Sequence, residues 1–295
     1  MDSQLHVAEP SPTCPFRVEG VQYIPDSPCE DGFTLIFLHA MSLHKVANYL
    51  LASSTRIRDV WSIDNPSHGR SSVLNQKLLA TPPYREYCKM MLLHDQEFTG
   101  SSKTRLNFTS LILLDAALLP PEFPTTSFLS NLFGKIASAK RDKWPTRAAA
   151  HENLAAHPAF KTWDPRALRL FVDCALRDSG SGSEVVLSCS RAQETGFYLS
   201  PAADYKARPV EIFAELIRAD EIPIHAIVCL KDEYKGKALP SKELQIAQVK
   251  GTTRGSVQIL DRGGHMFPQV EPALCADAIQ RALASVVAEN KKARL

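Results

Sequence analysis

Val257-Gln258-Ile259-Leu260-Asp261-Arg262-Gly263-Gly264-His265-Met266-Phe267-Pro268 is the stretch whose reading decides the fold. Its first four residues read as a buried strand, which runs into a turn that two glycines permit and a histidine closes. Upstream, Ile224-His225-Ala226-Ile227-Val228-Cys229-Leu230 is a second strand, ending at Lys231-Asp232-Glu233. A carboxylate after one buried strand and a Gly-Gly-His turn after the next form the acid–base half of a centre with chain order nucleophile, acid, histidine. Asp232 is the candidate acid and His265 the candidate base. The nucleophile of such a centre sits upstream on a Gly-x-Ser-x-Gly turn, and no such pentapeptide occurs in the chain.

The rest of the chain supplies the sheet these turns require. Phe33-Thr34-Leu35-Ile36-Phe37-Leu38 is a near-continuous apolar run, as expected of a strand covered on both faces. His39-Ala40-Met41-Ser42 follows, then a helical stretch from Leu43 to Ala52. Val60-Trp61-Ser62-Ile63-Asp64 is the next strand, running into Asn65-Pro66-Ser67-His68-Gly69-Arg70-Ser71-Ser72. Tyr84 to Phe98 reads as a helix, and Leu111-Ile112-Leu113-Leu114 as a strand ending at Asp115. Strands of the buried type alternating with helices predict an α/β fold with a mostly parallel, helix-flanked sheet. Residues 1–31, with Pro10, Pro12, Pro15, Pro25 and Pro28, read as an extended arm with one strand around Phe16–Tyr23. Between Leu118 and about Tyr205 the chain is helical and charged, with a Ser/Gly linker at Ser179–Ser183 before a short strand, Val185-Val186-Leu187. This block reads as a helical cap at 121–205, inserted into a core formed by 1–120 and 206–295. A last helix runs from about Ala273 to Asn290.

Composition excludes several classes. At 295 residues the chain can bury a large core. A net charge of +2, with 22% charged residues, gives no nucleic-acid or membrane-surface footprint. No apolar run reaches the ~20 residues that span a bilayer, and the N-terminus lacks the basic start and apolar stretch of a secretory signal. Seven scattered cysteines, without a C-x-x-C pair, fit neither zinc spacing nor a disulfide framework, which predicts a reducing compartment. Cys189 and Cys229 read as core fillers. No dinucleotide- or phosphate-binding glycine motif occurs, so no cofactor is expected. His39 and His44 stand five apart without a third ligand nearby and do not read as a metal site. The final Ala293-Arg294-Leu295, preceded by Lys291 and Lys292, has the small–basic–leucine pattern of a peroxisomal signal. The expected address is the peroxisome and the expected partner its import receptor.

With these pieces placed, the chain resembles the α/β-hydrolase superfamily over most of its length. Phe37-Leu38-His39-Ala40-Met41 looks like the turn that supplies an oxyanion-hole amide, which makes Ala40 and Met41 the candidate donors. Asp64 to Ser72 looks like the family's D-x-x-x-H-G-x-S turn, in which His68 is structural. A closer likeness is to capped fungal hydrolases, including a peroxisomal group from host-selective toxin clusters. It rests on Phe16–Pro25, Trp163-Asp164-Pro165 and Gly264-His265-Met266-Phe267-Pro268. The resemblance implies serine-type hydrolysis of an ester or an acyl-CoA-like thioester, a small acyl substrate, and a role in making an epoxy-decatrienoic-acid toxin. An epoxide hydrolase on the same scaffold, with cap tyrosines such as Tyr198 and Tyr205, is the alternative, as is a catalytically silent paralogue.

The family pattern also defines a gap. Between Ser72 and Ser110 a helix, a buried strand, the nucleophile turn and a second helix are expected, about thirty residues more than the stretch holds. Once Tyr84–Phe98 is used, the remnant around 99–109 has no apolar run for a strand. Three explanations compete: a degenerate paralogue, coding sequence removed as an intron, or Ser101 (with Ser102 next to it), beside Gly100, as an improvised nucleophile. Loss of a middle strand would strip the sheet of backbone partners and a layer of core.

Overall fold

The computed structural model describes residues 2–11, 14–38, 56–81, 108–116, 118, 124–180, 182–199, 203–231 and 239–292. In chain order these form β1 (Asp2–Ala8), β2 (Val18–Ile24), β3 (Phe33–Leu38), β4 (Ile57–Ile63), α1 (Gly69–Leu74), α2 (Gln76–Leu79) and β5 (Leu111–Leu114). Then come α3 (Pro124–Ala139), β6 (Lys143–Trp144), α4 (Arg147–Ala156), α5 (Pro165–Ala175), β7 (Leu176–Asp178), β8 (Val185–Leu187) and α6 (Arg191–Leu199). The last elements are α7 (Ala203–Ala219), β9 (Ile224–Cys229), α8 (Leu239–Lys250), β10 (Ser256–Leu260), α9 (Phe267–Val270) and α10 (Pro272–Lys292). The chain divides into two compact units, Met1–Asp95 with Ser130–Ser200, and Gln96–Leu129 with Pro201–Leu295.

The first unit carries a sheet of order β1-β2-β4-β3, in which β3 and β4 run parallel and β1, β2 and β4 antiparallel. The strand β1 departs from the sequence expectation of a single strand in the arm. Its residues are exposed throughout, so no apolar alternation announces it, and its backbone pairing with β2 holds it. β3 departs as well: Ile36 and Leu38 are 38% and 53% exposed, where coverage on both faces was expected. Among the described residues β3 pairs only with β4. A small antiparallel sheet, β6-β8-β7, belongs to this unit, and only its β8 was expected. Next to it, α5 starts at Asp164, whose carboxylate accepts from the Arg166 amide at 2.8 Å, and Pro165 fills the first turn. Leu168, Phe171, Val172 and Ala175 recur at helical spacing and are buried. The Ser72 hydroxyl donates to the Ser188 carbonyl at 2.8 Å, tying this segment to α1.

The second unit is built on a parallel sheet of order β10-β9-β5. All six residues of β9 are buried, the pattern of a central parallel strand. Ile224, Ala226 and Val228 pack in one core with Phe213 of α7 and Val249 of α8, together with Leu111, Leu113 and Val257. α10 packs on β9 as well and buries Cys275, Ala278, Ile279, Ala282 and Val286 at intervals of three and four. Parallel strands bring the loops after β5, β9 and β10 to one edge of this sheet, where open α/β sheets hold ligands.

Candidate functional site

The site starts from a backbone event at the end of β5. Leu114 lies opposite Ile227, and the Asp115 amide still donates to the Ile227 carbonyl at 2.8 Å. Asp115 then turns to a φ of +46°, a left-handed conformation that few residues other than glycine adopt. The turn brings its carboxylate to the end of β9, where Oδ1 accepts from the Cys229 amide at 3.2 Å. A side-chain oxygen thereby takes the place of the next carbonyl in the ladder.

Oδ2 of the same carboxylate meets two donors. The imidazole Nδ1 of His265 lies 2.8 Å away, and Nζ of Lys242 lies at the same distance. Lys242 comes from α8 and also donates to the Cys229 carbonyl at 2.6 Å. One turn on, the Gln245 amide donates to the Ala116 carbonyl at 3.2 Å and secures the chain just past the acid. The Asp115 side chain is 0% exposed and that of His265 35%, so the acid is sealed while the base faces outward. Burial pushes the Asp115 carboxyl up. The hydrogen bonds from His265 and Lys242, and their charges, outweigh burial and hold the carboxyl below its ordinary value.

His265 is aimed by its turn. Gly263 and Gly264 have φ of +93° and +65°. A Cβ on Gly263 would come within 2.6 Å of the Phe267 Cβ, so the turn needs glycine for conformation and space together. Phe267 is fully buried, its amide donates to the Gly264 carbonyl at 3.2 Å, and the Cys229 thiol donates to the Arg262 carbonyl at 3.4 Å.

No protein-family model matches the chain. Abhydrolase domain-containing protein AKT2 of Alternaria alternata is 27% identical over 203 residues, 61% of this chain and 76% of that protein. ACTT2, an abhydrolase domain-containing protein of the same fungus, matches with the same identity and coverage. The peroxisomal α/β-hydrolase Lpx1 of Saccharomyces cerevisiae superposes with a TM-score of 0.67 at 15% identity, over 98% of this chain and 88% of that one. The chain has the α/β-hydrolase fold. A haloalkane dehalogenase variant from Bradyrhizobium elkanii shares the fold, with a TM-score of 0.55 at 12% identity over 99% of both chains.

Within the α/β-hydrolase fold, the structure pairs one sequence-derived candidate, His265, with a carboxylate that sequence reading took only for a strand end. Asp232, Ser101, Ser102, Ala40, Met41, His39, His44 and the tail Ala293, Arg294 and Leu295 lie outside the described residues. Asp115 obeys the rule that selected Asp232, a carboxylate closing an apolar strand of the parallel sheet. Lys242 carried a signal too, because it shares a helical face with Ile246 and Val249, where a cation on an apolar stripe needs a partner. His68 is buried in its turn, with Nδ1 2.9 Å from the Ser67 hydroxyl. The Tyr198 ring lies 5.2 Å from that of Phe133, and the Tyr205 side chain is outside the described residues. Among the described residues no three His, Cys, Asp or Glu are placed to hold a metal ion. No described helix is long and apolar enough to cross a membrane.

Proposed function

We propose that the chain is a serine-type hydrolase of an ester or an acyl-CoA-like thioester, with His265 as its base and Asp115 as the acid that orients it. The contact of 2.8 Å between His265 Nδ1 and a fully buried carboxylate carries this reading. A carboxylate anion only accepts, so Nδ1 holds the proton and Nε2 presents the lone pair. Nε2 then takes the proton of the nucleophile hydroxyl as its oxygen attacks the acyl carbon. The imidazolium passes that proton to the departing alkoxide or thiolate. In the second half Nε2 takes a proton from the water that splits the acyl-enzyme and returns it to the nucleophile. Ala40 and Met41 are the proposed oxyanion donors, each worth about 3 kcal/mol in such sites. Asp115 rather than Asp232 fills the acid role, so Asp115→Asn should abolish turnover and Asp232→Asn should leave it.

The nucleophile proposed is Ser101, in a stretch with no Gly-x-Ser-x-Gly turn. A silent copy, from which the central strand and its elbow have been lost, is the second reading. It draws on β3, an apolar strand with Ile36 and Leu38 exposed and one hydrogen-bonded neighbour among the described residues. Peroxisomal import through Ala293-Arg294-Leu295 is proposed with the enzyme reading, and the name of the yeast relative agrees with it. Deleting Leu295 from a tagged copy should leave it in the cytosol. A place in host-selective toxin biosynthesis rests on the sequence resemblance to the fungal group.

Treatment with a serine-directed fluorophosphonate, followed by intact-mass measurement and peptide mapping, tests the reading. One adduct at Ser101 or Ser102, lost in His265→Ala, supports an active hydrolase. Folded protein without an adduct removes the enzyme reading for this chain and leaves the silent copy.

A further inference from the structure

We propose that Lys242 is a positioning residue of this centre: it keeps Asp115 an anion and fixes which carboxylate oxygen the imidazole meets. The inference rests on the reading of His265 and Asp115 as base and acid. Three donors surround the carboxylate, the Cys229 amide on Oδ1 and both Lys242 and His265 on Oδ2. With the Asp115 side chain wholly buried, a carboxyl without a cation beside it would favour its neutral form. A neutral carboxyl is a donor. With Oδ1 accepting from the Cys229 amide, that proton falls on Oδ2, where Nδ1 of His265 would accept it and Nε2 would carry the ring proton and lose the lone pair that the chemistry needs. A buried ammonium at 2.8 Å prevents this.

Lys242 is itself held for the task. Only 9% of its side chain is exposed, and its second bond, to the Cys229 carbonyl, anchors it on the strand that also supplies the Oδ1 donor. Acid and cation are therefore registered on one residue of β9, with amide and carboxyl oxygen on one side and carbonyl and ammonium on the other. In the turn before His265, Arg262 pairs with Asp261 and Glu271 at 3.8 and 3.5 Å, and the Cys229 thiol donates to the Arg262 carbonyl. Among the described residues none of these bonds the Asp115 carboxylate, which is held by His265 and by the Lys242 ammonium.

The test uses the full chain and does not need turnover. A proton shared between an imidazole Nδ1 and a carboxylate resonates downfield of the amide region in proton NMR. The wild type should show that resonance, absent from His265→Gln. Lys242→Met should lose it while the circular dichroism stays that of the wild type, and Lys242→Arg should keep it. Folded Lys242→Met with an unchanged resonance overturns the proposal. Should Lys242→Met fail to fold, wild-type protein labelled with ¹⁵N-lysine decides: the Lys242 ammonium resonance should move when His265 is protonated, and a stationary one overturns the proposal. A fluorophosphonate adduct in a protein that fails these NMR tests removes the role of Lys242 alone. The full NMR pattern without an adduct removes the hydrolase reading and keeps Lys242 as the residue that positions the pair.

Discussion

Asp115→Asn changes a charge at almost constant volume, so it isolates what the buried ion pair does for the fold. Lys242 would keep its ammonium in a site where 9% of the side chain is exposed, facing an amide in place of an anion. Removing one partner of a buried pair costs about 3–5 kcal/mol, since the other charge stays desolvated. The Cys229 carbonyl still accepts from Nζ at 2.6 Å, and the new amide oxygen can still accept from the Cys229 amide. The cost should therefore sit near the low end, about 3 kcal/mol. Amide hydrogen exchange across β9 reports this loss at the site itself. An opening eased by about 3 kcal/mol should speed exchange at Ile227 and Val228 roughly 150-fold. The double variant Asp115→Asn/Lys242→Met removes both charges and should recover protection to within about 1 kcal/mol of the wild type, because a buried pair replaced whole costs little. Exchange in the single variant within about fivefold of the wild type would refute the reasoning, as would a double variant no better protected than the single one.

Three further outcomes follow from the same unit. His225 is fully buried with Nδ1 2.8 Å from the Ser256 hydroxyl, and burial lowers its pKa. The unfolded chain therefore takes up this proton first as pH falls, so the contribution is complete above about pH 6.5 and lost below it, at up to about 1.4 kcal/mol per pH unit. His225→Phe should flatten that slope in urea titrations at pH 7 and pH 5. Gly263→Ala should cost about 1–3 kcal/mol through its φ of +93° and the approach to Phe267, and should lower the thermal midpoint and displace His265. Cys275 is wholly buried and its thiol is pushed up to about 12, so iodoacetamide at pH 8 should leave it unmodified in native protein and alkylate it after unfolding.

The parts of this fold that were legible in the sequence are the mostly apolar strands of one sheet. β5, β9 and β10 showed as such runs, and the structure sets them side by side in one parallel sheet. Only β9 is buried along its whole length, and Ile259 of β10, read as part of a buried strand, is 52% exposed. The turn at Gly263-Gly264-His265 was legible because a left-handed backbone leaves its mark as glycine. Asp115 makes a left-handed turn without glycine, so its only local mark is a carboxylate at the end of an apolar strand. The contact it forms crosses 150 residues, and no local pattern encodes a partner at that distance. β1 was invisible for the opposite reason. Its side chains are all exposed, and backbone hydrogen bonds, in which any residue but proline can both donate and accept, hold it to β2. Lys242 stood on an apolar stripe, a conflict between local pattern and residue type of the kind that marks a partnered charge.

The long sequence separations at the centre also govern when it can exist. Asp115 is 127 residues from Lys242 and 150 from His265, and the strands before Asp115 and His265 both pair in parallel with β9, which hairpins cannot achieve. Loop closure on that scale must precede any reward from the contacts, which places the pairing of β5 with β9 late in folding. Until that step, acid, cation and imidazole are three unrelated surface groups. The shared proton between His265 and Asp115 is thus a clock for the second unit: in a refolding experiment its resonance should rise with the slowest phase and with no earlier one.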